Sequence, residues 1–138
     1  MSNIEQTLSI IKPDAMERSL DGEIKLMFEK DGFKIAKEKK IQLAKHEAEQ
    51  FYKVHETKPF YNDLCEYLSS GPIMVMILEK ENAVLANREL MGATNPKDAK
   101  EGTIRKKFGI SIDKNSVHGS DSVENAKMEI DFFFQKLT

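Results

Sequence analysis

Six consecutive apolar residues, Ile73-Met74-Val75-Met76-Ile77-Leu78, follow directly on Gly71-Pro72, and this run constrains the fold more than any other segment. It is far too short for a bilayer, which takes about 20 residues of helix. Bounded by turn residues and partly β-branched, it reads as a central strand that needs cover from other elements. The rest of the chain supplies that cover. Thr7 to Ile11 is a second buried-strand pattern, ended by Lys12-Pro13, where proline stops the ladder and leaves Lys12 extended at the strand's end. Leu20 to Asp31 repeats Ile24, Met27 and Phe28 at helical spacing before Gly32, a left-handed terminator. Phe33 to Gln42 alternates weakly between lysines and reads as an edge strand with a solvated middle.

Two short helices are expected at Lys45 to His55, with Ala48, Phe51, Tyr52 and His55 on one face, and at Tyr61 to Ser69, with Leu64, Cys65 and Leu68. They flank Thr57-Lys58-Pro59-Phe60 as a helical hairpin. Ala83 to Met91 is another helix. Gly92 to Gly102 has no periodicity and is a loop long enough to suggest a functional reason for it, and Thr103 to Phe108 suits one helical turn. Val117 is extended, Gly119 permits a sharp turn, and Asp121 to Glu124 reads as the capping pair of a last helix from Ser122 to Phe133 that buries Val123, Ala126, Ile130 and Phe133. Four strands alternating with helices, the second helical region split, suit an α+β sandwich with helices against a small sheet. No repeats or low-complexity tracts appear.

At 138 residues the chain is expected to form one domain, 1–138, with a core that needs no staples. A formal charge of −2 gives no ground for nucleic acid as the main partner. Met1 to Gln6 are polar with no export signal, and the single Cys65 excludes an intrachain disulfide framework and a cysteine zinc site, so the chain is expected to be cytoplasmic with no membrane partner. Cys65 is read as buried and inert.

The chemistry points to His118, at a strand-to-helix corner within Asn115-Ser116-Val117-His118-Gly119-Ser120-Asp121-Ser122. Such a corner aims backbone N–H groups and the positive end of a helix dipole at an anion, and phosphate is the natural guest. A histidine is nucleophilic only when neutral and needs a partner that fixes its tautomer, a task suited to Ser120 and Glu129. The chain lacks the GxxxxGK[ST] loop and the protein-kinase motif set. Lys12, Arg88, Arg105 and Thr94 are the candidates to neutralise phosphate. Singly, each is ordinarily a solvated side chain. No His, Cys, Asp and Glu cluster has metal-ligand spacing, and His46 and His55 read as helix-face residues.

Taken together, Thr7-Leu8-Ser9-Ile10-Ile11-Lys12-Pro13-Asp14-Ala15, Lys58-Pro59-Phe60, Ser70-Gly71-Pro72, Met91-Gly92-Ala93-Thr94-Asn95-Pro96, Gly102-Thr103-Ile104-Arg105 and the His118 string resemble the nucleoside diphosphate kinase family over essentially the whole chain. The resemblance implies a ferredoxin-like sandwich, a four-stranded antiparallel sheet covered by helices. It implies transfer of the γ-phosphate of a nucleoside triphosphate, chiefly ATP, to a nucleoside diphosphate by a ping-pong route through phosphohistidine on Nδ1 of His118, oriented by Ser120 and Glu129. By the same resemblance Lys12 meets the transferred phosphoryl group and the ribose, Asn115 is a second sugar contact, and Tyr52 lines the site. Phe60 stacks on the base with Ile112 on its other side, and Arg88, Thr94 and Arg105 bind the β-phosphate.

Mg²⁺ is expected to arrive on the nucleotide phosphates, with Asp121 contributing through water. Ribo- and deoxynucleotides are the expected partners, and a homo-oligomer, tetramer or hexamer, is the expected assembly. Glu101 in the long loop and the end at Thr138 look bacterial. Two other readings of the residues are a phosphohistidine carrier serving a protein and a nucleotide-binding module without turnover. The first gives no reason for Phe60 and Asn115, and the second none for Lys12, His118 and Glu129 together.

Overall fold

The computed structural model describes residues 4–136. Met1 to Asn3 of the polar N-terminal stretch and the terminal Thr138 lie outside the described residues. Strands β1 (Ile4–Ile11), β2 (Lys34–Ile41), β3 (Ile73–Glu81) and β4 (Val117–Gly119) form one antiparallel sheet in the order β2-β3-β1-β4. This is the expected α+β, ferredoxin-like arrangement, with the first and third strands central. The apolar run beginning at Ile73 is central, between β1 and β2. Strand β2 lies at the edge, as its lysines foretold, and a bulge between Ile35 and Lys37 interrupts its register.

Side-chain alternation divides the core between the two faces of the sheet. Ile11, Met74, Met76, Leu78 and Val117 face α2 (Asp21–Lys30), α5 (Ala83–Met91) and α6 (Ile104–Phe108), where Ile24, Phe28, Met91, Ile104 and Phe108 close the layer. Leu8, Ile10, Ile73 and Val75 face α3 (Lys45–Phe51), α4 (Tyr61–Leu68) and the segment after α7 (Val123–Asp131), where Ala48, Tyr52, Cys65, Leu68 and Phe133 complete the other. Cys65 is fully buried, and burial pushes its thiol up, which suits an inert side chain. Among the described residues, no helix is long and apolar enough to cross a membrane.

Several local expectations are corrected. Pro13 does more than end β1: it occupies the first turn of a short helix, α1 (Pro13–Glu17), where a missing N–H costs nothing. The helix expected over Lys45 to His55 breaks after α3, and Lys53–His55 is a 3-10 turn. The last helix is capped by Ser122, whose Oγ accepts the Asn125 N–H, and not by Asp121, whose carboxylate instead accepts from the Asn125 side chain. Val123, expected to be buried, is 39% exposed in the first turn of α7, and beyond Asp131 the helix widens into a π turn over Phe132–Lys136.

Gly119 is also not the sharp turn expected. It pairs with Ser9 in the sheet, and among the described glycines positive φ belongs to Gly32, Gly92 and Gly102 and not to Gly119. A Cβ there would lie 2.3 Å from Asn87 Nδ2 and 2.7 Å from Met91 Cε. Glycine is needed because α5 presses against β4.

Candidate active site

β4 is short, and alternation decides what it presents. Val117 turns into the core with Ile11, so His118, opposite Ile10 in the register, turns to the other face of the sheet, toward α3 and α7. There its Nε2 lies 3.2 Å from Glu129 Oε1, and the same oxygen accepts the Ser120 hydroxyl at 2.7 Å. An ionised carboxylate only accepts, so the bond assigns the proton to Nε2, and in the neutral ring Nδ1 is then the nitrogen with a free lone pair. Ser120 is fully buried and anchors the carboxylate, which fixes the ring in turn. Phe51 meets the imidazole edge to face, ring centroids 5.4 Å apart, and packs on Tyr52 and Phe133 at 5.0 Å each.

Tyr52 is buried beside this aromatic group. Burial first, then Cys65 and Glu129, push its phenol far up, so it stays a neutral hydroxyl. Lys12, at the end of β1, is 7% exposed and donates from Nζ to Asn115 Oδ1 at 3.0 Å. Burial, with help from the Arg105 charge and against Asp14 and Asp113, lowers its ammonium from 10.5 to about 8. Asn115 is 2% exposed and donates from Nδ2 to the Thr94 carbonyl at 3.1 Å, which ties the long loop to the start of β4.

Arg105, in α6, donates to the Gly92 carbonyl at 3.0 Å and the Val117 carbonyl at 2.9 Å. Burial, then the charge of Arg88, lowers its guanidinium to about 10. Arg88 and Thr94 are exposed. Lys12 feels Arg105, and Arg105 feels Arg88. Like charges held this close, two of them largely out of water, are stabilised by a polyanion between them.

Phe60 is 46% exposed and walls a cleft of about 260 Å³ with Asp63, Leu64, Tyr67, Asp113 and Lys114. Ile112, expected to face Phe60, is exposed at 55%, and the next two residues of its loop, Asp113 and Lys114, line the cleft. Arg88 lines a separate cleft with Gly92, Ala93 and Thr103. Asp121 bonds to the Asn125 side chain, and among the described residues no group of three or more His, Cys, Asp and Glu is placed to hold a metal.

Residue-by-residue reading of the sequence did not single out Phe51, Asp14 or Asn87 as site residues. Phe51 looks like any residue of an amphipathic helix face, and its contact with His118 is set by how α3 packs on the sheet face that carries the imidazole. Asp14 is 5% exposed, with carboxylate bonds to Tyr67, Arg18 and Ser116. Asn87 is fully buried against Gly119. The sequence shows only an aspartate directly after Lys12-Pro13, and its burial comes from tertiary packing.

The family model described as nucleoside diphosphate kinase matches residues 5–138. A nucleoside diphosphate kinase of Campylobacter lari is 60% identical over 133 residues, 96% of this chain and 97% of that protein. One from Campylobacter jejuni is 61% identical over 132 residues, 96% of each. Among solved structures, the Aquifex aeolicus nucleoside diphosphate kinase superposes with a TM-score of 0.94 at 40% identity, covering 98% of both chains. The Encephalitozoon cuniculi enzyme does so at 0.91 and 38% identity, covering 94% of this chain and 88% of that one.

Proposed function

The chain belongs to the nucleoside diphosphate kinase family, and from that premise we propose that His118 is the group that carries a phosphoryl unit from one nucleotide to the next. The protein is a phosphotransferase acting on nucleotides. The observation that carries the His118 assignment is the bond from Nε2 to Glu129, with Ser120 on the same oxygen, because it leaves Nδ1 as the nucleophile.

In the first half-reaction Nδ1 attacks the γ-phosphorus in line. The Nδ1–P bond forms as the bridging P–O bond to the β-phosphate breaks, and the nucleoside diphosphate leaves with that electron pair. A second nucleoside diphosphate then attacks the phosphohistidine from the same side, and the ring returns to its starting state. Glu129 stabilises the cationic character that the ring gains during transfer. Lys12, Arg105 and Arg88 neutralise phosphate oxygens, with Thr94 as a further donor. Asn115 and Lys12, already bonded to each other, present a matched acceptor and donor for the sugar hydroxyls. Phe60 offers a ring face to the base, and with no edge contact required it accepts purines and pyrimidines, ribo or deoxy. Tyr52 and Phe51 fill the space behind the imidazole.

The family works with a divalent cation. Mg²⁺ would arrive on the nucleotide, held by phosphate oxygens and water, and the Asp121 carboxylate would contribute a contact through water. When bound, the cation supplies charge neutralisation across the phosphates. We also propose that 1–138 is one domain, that it assembles as a homo-oligomer, tetramer or hexamer, and that it works in the cytoplasm.

The test is direct. Incubation with γ-labelled ATP and Mg²⁺ is expected to leave one acid-labile, base-stable label, absent from His118→Ala, that added GDP discharges as GTP. Label surviving the substitution places the nucleophile elsewhere. Label that only a protein acceptor discharges favours a phosphohistidine carrier, and no label at all favours a module that binds nucleotides without turnover.

A further inference from the structure

Ser116 is fully buried with φ at +76°, a conformation that an L side chain holds only at a cost. Its carbonyl accepts the Lys12 N–H at 2.8 Å, and across it the Val117 N–H closes back on the Asn115 carbonyl at 3.0 Å. This one turn therefore sets the direction of both neighbours. On one side Asn115 reaches Lys12, and on the other Val117 opens the strand that carries His118.

What holds the turn comes from α1. Ser116 Oγ donates to Asp14 Oδ2 at 3.1 Å, and Arg18 Nη2 reaches that oxygen at 3.1 Å, Ser116 Oγ at 3.3 Å and the Phe108 carbonyl at 2.7 Å. The Tyr67 hydroxyl donates to Asp14 Oδ1 and accepts the Asp14 N–H at 2.9 Å. A carboxylate with both oxygens engaged and 5% exposure is fixed in place, and it ties α1, α4 and the start of β4 together.

We propose that Asp14 is a positioning residue for phosphoryl transfer: its buried carboxylate, tied to Tyr67, Arg18 and Ser116, holds the left-handed turn that directs Asn115 to Lys12 and starts the His118 strand. The inference rests on the reading of Lys12, Asn115 and His118 as the site. Asp14 touches no substrate, and its effect passes through the backbone at Ser116. Serine has the hydroxyl to make this bond, whereas glycine would hold the same φ with no bond at all.

That contrast supplies the experiment. Asp14→Ala and Asp14→Ala/Ser116→Gly are compared with the unaltered protein for thermal midpoint, ADP affinity and the rate of phosphohistidine formation from saturating ATP, at a temperature where all are folded. Asp14→Ala is expected to slow phosphohistidine formation about tenfold and to weaken ADP severalfold, as strain at the turn is released. Adding Ser116→Gly is expected to restore most of the rate, since glycine keeps the turn without the carboxylate. A fall in midpoint with the rate unchanged, or a double variant no faster than Asp14→Ala, overturns the proposal. If Asp14→Ala does not fold, Tyr67→Phe is read on the same scale, with about a threefold loss expected and no loss overturning it. The unaltered protein and His118→Ala are scored first, so failure of the His118 reading shows as absent or misplaced label before any Asp14 variant is compared.

Discussion

At the scale of single residues, charge and burial set the pH range over which the proposed site is expected to work. Lys12 has its ammonium lowered to about 8 by burial, so it is charged at neutral pH and loses its proton as pH rises through that value. ADP binding to the free protein is expected to weaken above about pH 8, and Lys12→Met is expected to bind weakly with no such limb. A bound phosphate favours the charged form, so the limb for kcat should lie at higher pH than that for kcat/KM. The effect on stability has the opposite sign. Between about 8 and 10.5 the folded state holds fewer protons than the unfolded one, so Lys12 contributes more favourably to stability as pH rises through that window. If Phe60 acts through its ring face as proposed, Phe60→Ala should weaken ADP, GDP and dTDP alike, by roughly 1–3 kcal/mol, in titration calorimetry. Loss for one base alone would point to recognition of base edges.

At the scale of elements, the contact between α5 and β4 governs how His118 is presented. Gly119 brings the strand within reach of Asn87 and Met91, and Gly119→Ala should cost about 1–3 kcal/mol in denaturant unfolding through overpacking. The cost should shrink when Asn87→Ala is added, because the nearest clashing atom is then gone. An unchanged cost would locate the strain at Met91. The same contact explains a failed expectation. Glycine after histidine ordinarily signals a turn, whereas here its missing side chain matters to a neighbouring helix. Asp121 and Ser122 both have side chains suited to the cap, and only the backbone decides which N–H groups are reached.

At the scale of the molecule, the sheet divides two cores, and the site draws on both. His118 belongs with the α3 and α7 face, while Arg105 and Arg88 come from α6 and α5 on the other. Phe133, fully buried after α7, is packed on Phe51, which in turn touches the imidazole. Phe133→Ala should destabilise the fold by about 3–5 kcal/mol in thermal or denaturant unfolding. It should also slow phosphohistidine formation at temperatures where the variant stays folded, since Phe51 loses its support. A variant with reduced stability and an unaltered rate would show that Phe51 does not constrain the ring.

What the sequence determined by itself is the set of parts. The identity of the long strands and helices, the central place of the Ile73 run, the exposed edge at β2 and the residue types for phosphate chemistry follow from periodicity, turn residues and side-chain charge, all of which act over a few residues, whereas the short helix α1 and the break after α3 do not. Only the tertiary structure decided which parts meet. Lys12 and Asn115 bond across 103 positions, Phe51 reaches His118 from another helix, and Asp14 controls a turn that lies 102 positions away from it. Such pairings depend on strand register and on how closely helices approach the sheet. Those are fixed by packing the whole core at once, and no local stretch of chain encodes them.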